Sequence, residues 1–322
     1  MVAAAEKANH FCKLYLYDKN SDDVSRHEAL IRKWWPDLGA PIGSASVDSF
    51  GDVDVLVASS WVSAHVIGSR STTESRRFYF IQDYEPYFYP RGSLYQLAES
   101  TYHFGFVNIS LGEMVAEAMK HELGKSPEFV VPFGCDTGAY RYIPREELGA
   151  SRRGVAFYAK KNVPRRGYEL GKLALEEFHR RHPDQPIHVF GEKVSGWRVP
   201  IINHGTIVPA ELNLLYNSVI AGLTLSFTNV TLTAAEMMAA GAVPVMNEFA
   251  GSKQVLGEEV GIWSQPTPEA LASALSGAVE APDTEGRALK LASRAWRGWD
   301  ETSRATIRAI EDAVRSPSRA LA

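Results

Sequence analysis

Apolar and polar positions along this chain follow two alternating periods. Short apolar runs of strand length, Cys12–Tyr17, Val53–Ala58, Arg77–Ile81, Gly105–Ile109 and Glu128–Pro132, punctuate the first half. Between them lie stretches such as Asp23–Trp35 and Gly112–Glu122, whose apolar positions recur at helical spacing. Strand and helix in alternation predict an α/β protein with mostly parallel strands. A boundary is predicted near 141–153, where the chain is polar, contains a Pro and lacks a periodic core pattern. Beyond it the alternation restarts. Gly154–Tyr158, Pro186–Phe190, Val219–Ser226 and Ala242–Met246 read as strands, and Tyr168–Arg180, Pro209–Asn217 and Leu232–Ala240 as helices. Thr267-Pro268 opens another helix, with an N-cap hydroxyl followed by a first-turn proline. The last helices run from about Glu285 to Val314.

The expected architecture is two tandem Rossmann-like, doubly wound α/β domains facing a cleft. The first spans 1–145, the second 151–286, and closing helices at 287–322 pack back on the first. No internal repeat is visible. Ligands of such sheets bind beyond the carboxyl ends of the strands. That rule directs attention to the loops Ser59–Ser63, Gln82–Ser93, Lys160–Arg166, Gly191–Ile207 and Phe227–Thr233.

Composition narrows the function. The 322 residues carry 38 acidic and 34 basic side chains, a net charge of −4, so a general nucleic-acid binder is not expected. Cys12 and Cys135 are the only cysteines, too few for a disulfide framework or zinc ribbon, and a reducing cytoplasm is the expected setting. No apolar run reaches membrane-helix length, and the first residues do not form a signal peptide.

Three segments could carry chemistry. Phe227–Thr233 places small and hydroxyl residues after an apolar strand and at a helix start, where free N–H groups suit a phosphate. Glu236 follows about one turn in and could accept two bonds from a ribose diol; the rival reading is a capped core helix with a solvated acid. Arg152–Arg166 carries six Lys or Arg and no acid. Within it, Lys160 and Arg166 could neutralise a diphosphate, or the whole stretch could be a solvated loop. Phe78–Ser93 is dense in aromatics interspersed with Gln82, Asp83, Glu85 and Arg91, a composition that suits sugar or, alternatively, a small aromatic core.

Other motifs fail. Asp52-Val-Asp54 precedes its strand instead of following it, so it is read as strand-entry polarity and not as a metal site. There is no Gly-x-Gly-x-x-Gly, Walker A or Gly-x-Ser-x-Gly sequence, and no zinc-binding histidine spacing. His179 and His182, beside Arg180 and Arg181, read as a basic helix end.

Taken in order, these segments resemble family 4 glycosyltransferases of the GT-B architecture. The resemblance rests on Val131-Pro-Phe-Gly-Cys-Asp-Thr-Gly-Ala-Tyr140, on Tyr158-Ala-Lys-Lys with Arg166-Gly167, and on Gly205–Tyr216. It continues through Glu236-Met-Met-Ala-Ala-Gly-Ala-Val-Pro-Val to Trp299-Asp300. Phe80–Ser93 with Leu97–Tyr102 is similar to bacterial rhamnosyltransferases that build S-layer and surface-polysaccharide glycans.

The resemblance implies a retaining, metal-independent transfer from a nucleotide-sugar co-substrate, dTDP-rhamnose, with no resident cofactor. The acceptor would be a glycan or lipid-linked saccharide, met in the cytoplasm or by peripheral association at the inner membrane face. The first domain would serve the acceptor and the second the donor. Lys160 and Arg166 would hold the diphosphate together with Thr228, Asn229, Val230, Thr231 and Leu232. Glu236 would hold the ribose, and Gly205 and Val208 would border the base. Gln82, Tyr84, Glu85 and Ser60 would meet the sugar or acceptor, and either Asp83 or the departing phosphate oxygen would take the acceptor proton.

Three departures stand out. Thr228 occupies the place of the first Glu in the family's Glu-x7-Glu pair. Ala159-Lys160 replaces Gly-Arg. The usual opening strand with its Gly-rich loop is not found, so the first domain reads as shortened. A nucleotide-sugar epimerase and a non-catalytic nucleotide-sugar binding protein are the alternative expectations.

Overall fold

The computed structural model describes residues 1–17, 24–45, 50–70, 75–229, 231–249, 252–253, 257, 261–294 and 297–316. The chain divides into two compact units, Met1–Pro132 with Asp300–Ala322, and Phe133–Trp299.

The first unit holds two sheets. Strands β1 (Leu14–Leu16) and β2 (Ile42–Ser44) pair in parallel, with helix α2 (Val24–Trp34) between them in sequence, after a short α1 (Val2–Lys7). The main sheet has the order β3-β4-β5-β6, built from Val55–Ala58, Arg76–Ile81, Val107–Leu111 and Phe129–Val131, all parallel. Helices α3 (Trp61–Arg70), α4 (Ser93–Ser100) and α5 (Glu113–Leu123) make the crossovers. Tyr79, Ile81, Tyr84, Tyr102, Phe106 and Met119 form the core. Alternation along β4 puts Arg77, Tyr79 and Ile81 on one face. From Asp300 onward the chain belongs to this unit, and the Thr302 hydroxyl donates to the Pro132 carbonyl at 2.8 Å.

The second unit contains a six-stranded parallel sheet in the order β12-β11-β10-β7-β8-β9. Its strands are β7 (Val155–Tyr158), β8 (Ile187–Phe190), β9 (Ile202–Gly205), β10 (Ala221–Thr224), β11 (Val243–Asn247) and β12 (Ile262–Ser264). The first strand in sequence sits at the centre, and the order reverses between β7 and β10. That is the doubly wound arrangement, and the reversal is where such sheets bind ligands.

The inner strands are apolar because both faces are covered. Helices α7 (Tyr168–Arg181) and α10 (Pro268–Glu280) cover one face over Phe157, Val189, Leu223 and Val245. Helices α8 (Pro209–Ser218) and α9 (Thr231–Ala239) cover the other over Ala156, Phe190 and Tyr216. At Gly171 an added Cβ would lie 2.4 Å from the Phe157 ring, so only glycine lets α7 approach β7. The Thr267 N-cap accepts from Ala270 N–H at 3.3 Å, as its sequence predicts.

The segment read as a linker near 141–153 lies inside the second unit, which begins at Phe133. Its backbone is fixed there: Asn213 Oδ1 accepts from Arg141 N–H, and Asn217 Oδ1 from Ile143 N–H. It also contains a short α6 (Arg145–Leu148). A polar composition hides this anchoring, because the partners are buried asparagines about seventy residues away. The closing segment also divides differently from 287–322. Helix α11 (Thr284–Ala292) packs on α9 in the second unit, while α12 (Trp299–Arg315) lies in the first unit from Asp300.

Candidate donor site at the switch point of the second sheet

The loops leaving β7 and β10 meet at the carboxyl edge where the strand order reverses. Arg166, at the end of a short 3-10 turn over Pro164–Arg166, donates through Nη1 to Ser226 Oγ and to the Asn229 carbonyl, both at 3.2 Å. The Phe227 N–H donates back to the Arg165 carbonyl at 2.9 Å, closing the two loops on each other. Ser226 Oγ also accepts from the N–H groups of Thr228 (3.3 Å) and Asn229 (3.2 Å). Ser226 is held in turn by Asn247, the last residue of β11. The Asn247 amide bonds both the N–H and the C=O of Ser226 at 2.9 Å, and its side chain is wholly buried. The loop is thus set before any ligand arrives.

Lys160 stands beside the β8 loop, with Nζ donating to the Gly191 carbonyl at 3.1 Å. Thr206 Oγ1 donates to the same oxygen at 3.2 Å. Gly191 N–H donates to the Gly205 carbonyl at 2.8 Å, which joins the loops after β8 and β9. Gly191 has φ +107°, and a Cβ there would lie 2.7 Å from the Ala159 carbonyl, so the approach requires glycine. Val208 is exposed and precedes α8, where its N–H donates to Glu211 at 3.3 Å. Lys160 and Arg166 are half-buried, and neither has a carboxylate partner among the described residues. Two cations held by neutral acceptors at a sheet's switch point are an arrangement that could receive an anion such as a diphosphate.

Glu236 lies on α9, beyond that loop. Its carboxyl is largely buried and has no hydrogen-bond or ion-pair partner among the described residues. Burial, aided by the charge of Asp136, pushes it up to about 7. The groups around it are Asp136, Cys135, Tyr140 and Tyr216. Asp136 is itself engaged by the N–H groups of Gly138 (3.1 Å) and Ala139 (3.0 Å). The Tyr216 hydroxyl is buried with no partner among the described residues. A desolvated carboxyl of this kind is stabilised by any ligand that brings hydroxyl donors to it.

The basic stretch is divided in its roles. Arg152 is a buried staple: it donates to the Tyr216 (2.9 Å) and Ala240 (2.8 Å) carbonyls at the ends of α8 and α9, and pairs with Glu285 at 3.7 Å. Arg153 bonds the Asp184 carbonyl. Thr228 is buried, with its hydroxyl 3.3 Å from Ser226 Oγ, and Leu232 is exposed. Thr231 opens α9, and Val230 lies outside the described residues.

In the first unit, Gln82 and Asp83 follow β4 at its carboxyl end. Gln82 is exposed and donates to the Ser59 carbonyl at 3.3 Å. Ser60 caps α3: its Oγ accepts from Ser63 N–H at 3.3 Å, and its own N–H donates to Ser63 Oγ at 2.9 Å. Tyr84 and Glu85 do not present themselves to a ligand. Tyr84 stacks on Tyr102 in the core and donates to Glu99 at 3.1 Å. Glu85 is buried and accepts from the Trp61 N–H, at the start of α3, and from the Tyr79 hydroxyl at 2.9 Å. Burial raises the Glu85 pKa, and those two bonds oppose the rise. The aromatic segment is therefore largely a small core, the alternative that its composition left open.

Ser226 and Asn247 complete the arrangement without a motif of their own. Gly191 carries a sequence signal as a glycine directly after a strand, and Asp136 lies in the Val131–Tyr140 segment, where the sequence does not reveal its role at this site. Among the described residues no cluster of three or more His, Cys, Asp or Glu could hold a metal, and no helix is long and apolar enough to cross a membrane.

Residues 47–112 match the family model described as the WsaF N-terminal domain, and residues 153–276 match the WsaF C-terminal domain. The chain is 29% identical over 234 residues to the O-antigen biosynthesis protein RfbC of Myxococcus xanthus. That match takes in 70% of this chain and only 18% of the relative's length. Among solved structures, a putative UDP-N-acetylglucosamine 2-epimerase from Listeria monocytogenes superposes with a TM-score of 0.64 at 10% identity, over 99% of this chain and 92% of that one. Sucrose-phosphate synthase from Thermosynechococcus elongatus gives 0.63 at 13% identity, over 92% and 80%. The fold is GT-B, and the two units carry, in order, the matches to the N-terminal and C-terminal domains of WsaF.

Proposed function

We propose that the chain is a nucleotide-sugar-dependent glycosyltransferase of polysaccharide assembly. The observation that carries this reading is the pair Lys160 and Arg166, free of carboxylates at the switch point, with the desolvated Glu236 beyond it. The WsaF domains and the O-antigen biosynthesis relative support the polysaccharide setting.

As the glycosyl bond breaks, charge grows on the leaving diphosphate, and cations fixed before the reaction stabilise it most where it is greatest. Arg166 is held by Ser226 and Asn229, and Lys160 by Gly191, so little reorganisation is needed. Glu236 would accept the ribose hydroxyls, and the turn from Gly205 to Val208 would border the base. In this reading the donor is dTDP-rhamnose, transfer is retaining and independent of metal, and no resident cofactor takes part. Asp83, Gln82 and Ser60 would serve the transferred sugar and a glycan or lipid-linked acceptor, reached by peripheral association with the inner membrane face. The same motif order supports a reading of the chain as a member of family 4.

Calorimetry with dTDP, UDP and GDP, with and without EDTA, followed by dTDP-rhamnose, tests this. Selective dTDP binding that survives EDTA is expected. Absence of binding to every nucleoside diphosphate would refute the site. The structural likeness to a 2-epimerase gives one competing reading: incubating donor without acceptor would then yield an epimerised sugar nucleotide, and here none is expected.

A further inference from the structure

A cavity lies in the first unit, away from the carboxyl-end loops. It has a volume of about 350 Å³ and is lined by His65, Gly68, Ser69, Arg77, Phe104 and Phe106. Arg77 is the second residue of β4, and the two phenylalanines lead into β5, so the cavity opens at the amino end of the sheet. Ser69 is nine residues along from the Ser60 cap, about 14 Å at the rise of a helix.

The Arg77 guanidinium lies 5.2 Å over the Phe106 ring. It is half-buried, and no carboxylate or carbonyl partner is present for it among the described residues. A guanidinium held over an aromatic ring face still has N–H donors to offer an anion. Phe104 forms an adjoining wall, with the His65 ring edge-on at 5.0 Å. His65 is fixed by its bond to the Leu97 carbonyl at 2.9 Å. Ser69 spends its proton on the Val66 carbonyl at 3.1 Å, leaving its oxygen able to accept from a hydroxyl. The lining thus offers an apolar ring surface, one uncompensated positive charge and a hydroxyl acceptor, and none of its six residues is acidic.

We propose that this cavity binds a negatively charged sugar unit. The ring lies against Phe104, Arg77 takes its carboxylate or phosphate, and Ser69 accepts a hydroxyl. On the glycosyltransferase reading, the occupant is an acidic unit of the acceptor glycan, held at a distance from the reacting end.

The full chain, labelled with 15N, is titrated with methyl glucuronide, glucose 6-phosphate and methyl glucoside in the absence of nucleotide. The arginine side-chain resonances are followed by NMR. Either anion is expected to move the Arg77 signal, the neutral glucoside is not, and Arg77→Gln should weaken binding at least tenfold. Ser69→Glu, an exposed substitution that places an acid beside the guanidinium, should do the same. Nucleotide affinity, measured on the same variants, should not change, which separates failure of this site from failure of the donor assignment. Response to the glucuronide alone or the phosphate alone assigns the anion and supports the proposal. No response to either anion, equal response to the glucoside, or unaltered binding in Arg77→Gln overturns it.

Discussion

Glu236→Gln removes one charge while keeping the shape of a side chain that has no partner among the described residues. The carboxyl titrates near 7 in the folded protein, against an ordinary value of 4.5. Every tenfold change in proton affinity is worth about 1.4 kcal/mol, so ionising Glu236 costs the native state up to about 3 kcal/mol. The sign follows from the raised value. Below pH 4.5 the group is protonated in folded and unfolded chains alike, and the substitution changes little. As pH rises through 7 the wild type loses that stability and the glutamine variant does not. Between pH 4.5 and 8 the variant should therefore gain up to about 3 kcal/mol over the wild type. For a unit of this size that is roughly 6–10 °C in melting temperature.

Differential scanning calorimetry across that range reads the gain directly. A donor binding experiment makes the functional half of the test. On the proposed reading the ionised carboxylate would accept two ribose hydroxyls, so wild-type affinity for dTDP-rhamnose should strengthen as pH rises from 6 to 8. The variant should bind about tenfold more weakly at pH 8, with a flatter profile. Equal pH dependence of stability in the two proteins would refute the buried-charge reasoning. A stability change of the expected size with unaltered donor affinity would refute the ribose assignment alone.

Three further outcomes are expected. Arg166→Ala and Lys160→Ala should each lower kcat by about 10²-fold or more, read in single-turnover donor consumption, because each removes a fixed cation from the leaving group. Glu85→Ala should destabilise the protein by about 3 kcal/mol in urea unfolding, since it strips both the Trp61 N–H and the Tyr79 hydroxyl of their buried acceptor. Tyr216→Phe should be neutral or stabilising by about 1 kcal/mol in the same assay, because the hydroxyl it deletes is buried without a partner among the described residues.

The parallel α/β plan is legible in the sequence because strands covered on both faces must be apolar and their crossovers amphipathic. Val155–Tyr158 and Tyr168–Arg181 match their sequence readings to within a residue. Strands β2, β9 and β12 carry no such signature. Each is three or four residues long, and their burial is partial and irregular. Helices α3 and α4 escape the pattern because Ser, Gly and His dilute it in one, and the other follows a long aromatic turn. At the candidate site, Lys160, Arg166 and Glu236 are legible as charges placed after strands. Their supports are not. Asn247 and Asp136 act through side-chain bonds to backbone across some twenty residues or within a turn, and such bonds leave no periodic trace. Tyr84 and Glu85 show the converse: a polar spelling that suits sugar is spent on internal bonds, Tyr84 donating to Glu99 and Glu85 accepting from Tyr79 and the Trp61 N–H.

Thr228 gives the donor loop its electrostatic character. The position is buried beside Ser226, whose hydroxyl already takes two backbone N–H groups and the Arg166 guanidinium. A carboxylate at 228 would bring a buried negative charge next to that hydroxyl cluster and would draw Arg166 into an ion pair, since a buried charge demands a partner. A threonine adds only a neutral hydroxyl, 3.3 Å from Ser226 Oγ. The guanidinium therefore stays bound to neutral oxygens, which orient it without cancelling its charge. Its field remains available to an anion arriving at the carboxyl ends of β7 and β10.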